Sequence, residues 1–106
     1  MVTRFEVYLV NLDAEVSNNP KNTRPAAVIS PDEMNRHLST VLIAPISSTE
    51  MLYPTRISID FLGASRAVIL DQIRPVDKSR LVKKVGDIDP EDRRLIVEKL
   101  REMFAE

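Results

Sequence analysis

Ala26-Ala27-Val28-Ile29 is apolar at every position, and Ser30 closes the run. A strand with one wet face would alternate, so Ala26 to Ser30 reads as a short strand covered on both sides. In a chain of 106 residues that is a severe constraint. One small domain, residues 1–106, has to place structure on either side of a single strand. A strongly curved sheet of short strands meets that demand.

The rest of the chain supplies those strands. Phe5 to Leu12 alternates loosely and is rich in Val, Tyr and Leu. Thr40 to Ile46 is β-branched, with Pro45 near its end marking a sheet edge or a bulge. Thr55 to Asp60 puts Ile57 and Ile59 on one face, Ala67 to Asp71 runs on toward Ile73, and Val82 to Ile88 adds another strand. Ser30-Pro31-Asp32-Glu33 opens a short helix with Ser as cap, Pro at the first helical position and Glu33 completing a capping box. Asp89-Pro90 opens a second helix, expected from Pro90 to about Ala105, with Ile96, Val97, Leu100, Met103 and Phe104 as its apolar stripe. Asp13–Thr23 and Ser47–Pro54 are polar loops, the first long for so small a domain. The expected architecture is mainly β with α, a small barrel closed by a C-terminal helix.

Composition removes most catalytic classes. With no Cys there are no disulfides, thiolate metal sites or Cys nucleophiles, in keeping with a cytoplasmic protein. No secretory signal is expected from the charged start Met1-Val2-Thr3-Arg4-Phe5-Glu6, and no apolar run reaches the ~20 residues of a membrane span. Gly63 and Gly86 are the only glycines, so a phosphate-cradling glycine loop is excluded. His37 is the only histidine and no acidic partner is fixed near it in sequence. No residues have metal-ligand spacing, and neither metal nor cofactor is expected. A net charge of −1 argues against indiscriminate nucleic-acid binding. Charge is nonetheless uneven: Gln72 to Lys84 carries Arg74, Lys78, Arg80, Lys83 and Lys84 against Asp77 alone. Such a stretch is either a local RNA contact or a solvated basic loop.

Three segments place polar side chains against buried strands. In Thr23-Arg24-Pro25, the proline biases Arg24 toward extended backbone, leaving its guanidinium for a phosphate or for an ion pair with a carboxylate such as Asp71. Ala44-Pro45-Ile46-Ser47-Ser48 delivers hydroxyls at a strand exit, where serine also serves simple turn chemistry. Leu70-Asp71-Gln72 leads into the basic stretch, and Gln72 has donors and acceptors for a base edge or for backbone.

In their order and spacing these segments, with Val7-Tyr8-Leu9-Val10-Asn11-Leu12-Asp13, Val28-Ile29-Ser30-Pro31-Asp32, Tyr53-Pro54-Thr55 and Leu70-Asp71-Gln72-Ile73-Arg74-Pro75-Val76-Asp77-Lys78, resemble the MazF/PemK toxins over nearly the whole chain. The resemblance implies a small SH3-like barrel with a C-terminal helix, paired as a homodimer with RNA in a groove at the interface. It implies a sequence-specific, metal-independent endoribonuclease acting on single-stranded RNA. Arg24 falls on the family's catalytic arginine and Ser47 on its hydroxyl partner, usually Thr. Asn19, Lys21, Ser48, Gln72, Arg74 and Lys78 are the expected RNA-binding set. Base reading is expected from Asp13–Thr23, Ser47–Tyr53 and Phe61–Arg66, with stacking on Phe61, Tyr53 or arginine planes. The implied reaction is attack of a ribose 2′-hydroxyl on the adjacent phosphorus, leaving a 2′,3′-cyclic phosphate and a 5′-hydroxyl.

Two positions depart from the family pattern. Its Gly-Ser-Glu ahead of the arginine is Ser17-Asn18-Asn19, so a glutamate has become Asn19; its Arg-Gly-Asp/Glu is Arg4-Phe5-Glu6, where Phe5 replaces a conformationally free glycine. They motivate a second reading, an attenuated or inactive homologue that still binds RNA or antitoxin. A third, a CcdB-like gyrase-binding toxin, is disfavoured by the absence of Trp. The expected partner is a cognate antitoxin, a MazE-like acidic peptide competing with RNA for positive charge.

Overall fold

The computed structural model describes residues 1–12, 23–48 and 54–105. Asn19, Lys21 and Tyr53 lie outside them. Strands β1 (Glu6–Asn11), β2 (Thr23–Val28), β3 (Thr40–Ser47), β4 (Arg56–Phe61), β5 (Ala64–Ile69), β6 (Arg74–Asp77) and β7 (Leu81–Asp87) form one curled antiparallel sheet. The order is β4-β5-β3-β2-β1-β7, with β6 also against β3. Helix α1 (Asp32–His37) joins β2 to β3, and α2 (Pro90–Phe104) follows β7. Among the described residues no helix is long and apolar enough to cross a membrane.

The strand covered on both faces is real. Ala26 and Val28 pack into one apolar cluster with Val10, Val41, Ile43 and Val76, while Ala27 packs into the other with Val7, Ala44, Ile46 and Ile96. However, β2 begins at Thr23, three residues before the expected start, so Arg24 lies within the strand. The β1 partner accounts for this, because the ladder Val10↔Arg24 and Leu9↔Pro25 holds these residues extended.

Pro45 marks neither an edge nor a bulge. It sits mid-strand, paired with Ala26, where the partner on the other side of β3 changes from β6 (through Ile43↔Arg74) to β5 (from Ile46↔Val68). The expected run of strand from Ala67 to Ile73 is likewise broken: β5 ends at Ile69 and a 3₁₀ turn, Leu70–Gln72, carries the chain into β6. One edge of β3 is thus shared by two short strands, and this curls the sheet.

The expected capping box at Ser30 and Glu33 does not form. Pro31 holds the cap position without a side-chain bond, and the Ser30 hydroxyl instead donates to Asn35 Oδ1 and accepts from the Leu42 amide at 3.0 Å. Asn35 Nδ2 donates to the Ser30 carbonyl at 2.9 Å. Both side chains are buried, so satisfying each other outweighs a solvent-exposed cap. In α2, Ile96 is buried and Leu100 and Met103 pack beside it, but Phe104 is 77% exposed; the stripe outlasts the surface that covers it.

Phe5 takes the glycine-like backbone after all, with φ of 72°. Its amide donates to the Val28 carbonyl (2.8 Å) and its carbonyl accepts from Ile88 (2.9 Å). The ring packs on the core, with the Arg4 and Arg93 guanidiniums 4.9 and 5.6 Å from its centroid. These contacts offset a left-handed residue's cost of roughly 1–2 kcal/mol. Phe5→Ala keeps that strain and loses the ring, whereas Phe5→Gly loses the ring and sheds the strain. We expect the alanine variant to be less stable than the glycine variant by about 1 kcal/mol in urea unfolding; equal stabilities would show that this turn carries no strain.

Candidate active site

Pro25 and Pro45 line the same depression, and the reason is chemical. Neither has an amide hydrogen to donate, and the β2–β3 ladder stops at Ala26↔Pro45. Beyond that pair the two strands are no longer laced together, and a cavity of ≈ 470 Å³ opens at the seam. Leu12, Pro25, Pro45 and Ile46 supply its apolar surface; Arg24, Ser47, Ser48, Arg66, Gln72 and Arg74 supply its polar groups. Arg24 from β2 and Ser47 from the end of β3 both line it.

Each polar group has a definite origin. Arg24 is exposed, and its Nη1 donates to the Thr23 carbonyl at 2.9 Å. It does not pair with Asp71, which instead accepts from the Thr55 hydroxyl at 2.9 Å and lies 3.5 Å from Arg56 Nε. Ser47 ends β3 opposite Ala67, and Ser48 follows it. Gln72 comes from the 3₁₀ turn, and Arg74 opens β6 beside Ile43.

The structure therefore brings Arg24, Ser47, Ser48, Gln72 and Arg74 together. Lys78 does not line this cavity. Its ammonium donates to the Asn35 carbonyl near the C-terminal end of α1, where cations are favoured. Two more cations of the basic stretch are bonded elsewhere: Arg80 donates to the Asn11 carbonyl at 3.2 Å, and Lys84 bridges Glu6 (2.8 Å) and Asp87 (3.3 Å). Burial alone would raise the Glu6 pKa, but Lys84, the Thr3 amide and the Tyr8 hydroxyl outweigh it and hold the carboxyl below its usual range.

Phe61–Arg66 is a tight hairpin rather than an open loop. Leu62 and Gly63 form a two-residue turn with φ of 52° and 74°, closing Phe61↔Ala64 in a tight hairpin. Phe61 is 8% exposed and its ring abuts Gly86, where an added Cβ would come within 2.7 Å of it. It is core, not a stacking platform for a base. Arg66, the last residue of that segment, does line the cavity, although the sequence reading did not single it out; the pairing of β5 with β3 brings it there.

The cavity's charge is one-sided. It holds three guanidiniums, Arg24, Arg66 and Arg74, and no carboxylate among the described residues. A second depression, of ≈ 460 Å³, is lined by Asp60, Asp89, Glu91 and Asp92 among others. Burial, together with Asp89, Asp60 and Glu91, raises the Asp92 pKa. An anionic ligand is attracted to the first and repelled by the second.

With this geometry in view, the comparison with known proteins is decisive. The family described as PemK-like, MazF-like toxin of type II toxin–antitoxin systems matches residues 3–104. The chain belongs to this family. It is 34% identical over 97 residues to endoribonuclease EndoA of Bacillus subtilis (strain 168), covering 86% of this chain and 84% of that one. In fold it is similar to an endoribonuclease in complex with its cognate antitoxin from Mycobacterial species (TM-score 0.81, 21% identity, 96% of this chain and 93% of that one). It is likewise similar to the MazE-MazF complex (Form-II) from Deinococcus radiodurans (TM-score 0.79, 22% identity, 98% and 95%). The PemK/MazF fold, mainly β with a C-terminal helix, is the one expected from sequence.

Proposed function

We propose that this PemK/MazF-family chain is an endoribonuclease toxin that cuts single-stranded RNA at specific sequences by attack of a ribose 2′-hydroxyl on its neighbouring phosphate. The carrying observation is an arginine-lined cavity, with no carboxylate among its described residues, that Arg24 and Ser47 line together at a seam bordered by two prolines. The similarity to EndoA supports the reaction class.

The 2′-oxygen gives up a proton as its bond to phosphorus forms, and the 5′-oxygen gains one as its bond breaks. No water is consumed. The products are a 2′,3′-cyclic phosphate and a 5′-hydroxyl. Charge gathers on the nonbridging oxygens in between. The planar fork of Arg24 suits two of them, and the Ser47 hydroxyl adds a further donor. Gln72, Ser48 and Arg74 line the approaches and contact flanking nucleotides. The described lining offers no carboxylate, imidazole or thiol with which to hold a metal. The toxin works in the cytoplasm as a homodimer, and an acidic antitoxin segment silences it by covering the same guanidiniums. Solved complexes of neighbours with cognate antitoxin support that partner.

Purified protein is expected to cut a long single-stranded RNA into discrete fragments with 5′-hydroxyl ends, undiminished by EDTA. Loss of cleavage in EDTA, or 5′-phosphate ends, would refute the mechanism. Should the protein be inert and Asn19→Glu confer cleavage, the attenuated homologue is the correct reading.

A further inference from the structure

We infer that Arg66 binds an RNA phosphate adjacent to the scissile one and thereby sets the register of the strand. The inference rests on the endoribonuclease reading and deepens it by assigning a second phosphate subsite. The cavity draws three arginines together with no described carboxylate, in a chain whose net charge is −1. Like charges brought together repel, and a ligand bearing several negative charges relieves that repulsion. Arg24 and Ser47, which line the cavity together, account for one phosphate. An RNA strand carries another at each neighbouring nucleotide.

Arg66 is built to hold such a phosphate in a fixed place. It projects from β5, a strand rather than a loop, and is half-buried. Its Nε donates to the Phe61 carbonyl at 2.9 Å. That carbonyl is itself fixed, since Phe61 is clamped over Gly86 and borders a two-residue turn. With Nε engaged, the Nη groups remain as a pre-oriented pair of donors, so little side-chain freedom is lost on binding. The pair Ser47↔Ala67 places Arg66 next along β5, beside Ser48 and past Ser47. This is where a strand leaving the catalytic pair would pass. A base could stack on the guanidinium, but stacking gives no reason to gather three like charges.

The test compares wild type with Arg66→Ala and with Arg66→Gln, which keeps a donor for the Phe61 carbonyl. On a defined RNA substrate both variants should raise KM by about 10-fold or more and leave kcat within about 3-fold. Their salt dependence should be shallower by about 0.7 in log–log slope, one phosphate contact fewer. Neutral methylphosphonates, placed one linkage at a time, then locate the contact. At one flanking linkage wild type should weaken by the same factor while the variants lose nothing further. The inference is overturned if KM is unchanged, if kcat carries the loss, or if no linkage removes the difference. If wild type itself does not cleave, the parent reading fails instead. Binding of a 2′-O-methyl RNA, measured by fluorescence anisotropy, still decides Arg66: equal affinities for wild type and Arg66→Gln refute it.

Discussion

Replacing Arg24 with alanine is expected to slow single-turnover RNA cleavage by about 10²–10³-fold, or roughly 3–4 kcal/mol of transition-state stabilisation. The loss should leave the fold intact. Arg24 is exposed, and its Nη1 donates to the adjacent Thr23 carbonyl, whereas Ala26, Ala27 and Val28 of the same strand are buried in the two apolar clusters. Thermal unfolding of the variant should match wild type. Arg24→Lys is expected to recover a small part of the rate, because an ammonium carries charge without the planar two-pronged fork. A variant that cleaves within about 3-fold of wild type would remove Arg24 from the chemistry.

The largest effect on stability is expected from Asn35→Ala. Asn35 is fully buried and Ser30 is 1% exposed. The asparagine accepts from the Ser30 hydroxyl and donates to the Ser30 carbonyl, while that hydroxyl also accepts from Leu42. Alanine leaves the hydroxyl and the carbonyl without these partners in a site closed to water. Each buried polar group left unsatisfied costs about 1–3 kcal/mol, so the variant should lose roughly 2–4 kcal/mol. For a domain of this size that is a fall in Tm of about 10–25 °C, measurable by circular dichroism. A shift of only a degree or two would show that water can replace the side chain. The consequence reaches the site: Ser30 and Ile29 bond Leu42 at the start of β3, and this same pair of strands presents Arg24 and Ser47. Cleavage by the variant should therefore collapse at temperatures where wild type is still active.

The strands and the C-terminal helix were legible because their evidence is local. Period-two alternation in Thr55–Asp60 became β4, and Asp89-Pro90 became the start of α2. The failures share a cause. Ser30 reads as a cap beside Glu33, but Asn35 and Leu42, brought near by folding, compete for its hydroxyl and win. Phe5 reads as a departure that should change the turn, yet contacts with Val28, Ile88 and Arg93 hold it at positive φ.

By itself the sequence determined most of the strands, the two helices and the strand covered on both faces, since hydrophobic period and proline act on adjacent residues; the candidacy of Arg24 and Ser47 came from the resemblance of their segments to the MazF/PemK family. Only the tertiary structure decided which cations share a cavity. Arg24, Arg66 and Arg74 stand on β2, β5 and β6, and both β5 and β6 pair with β3. Whether a guanidinium faces a ligand or a carbonyl depends on the register between strands far apart in the chain, and no local pattern encodes that register.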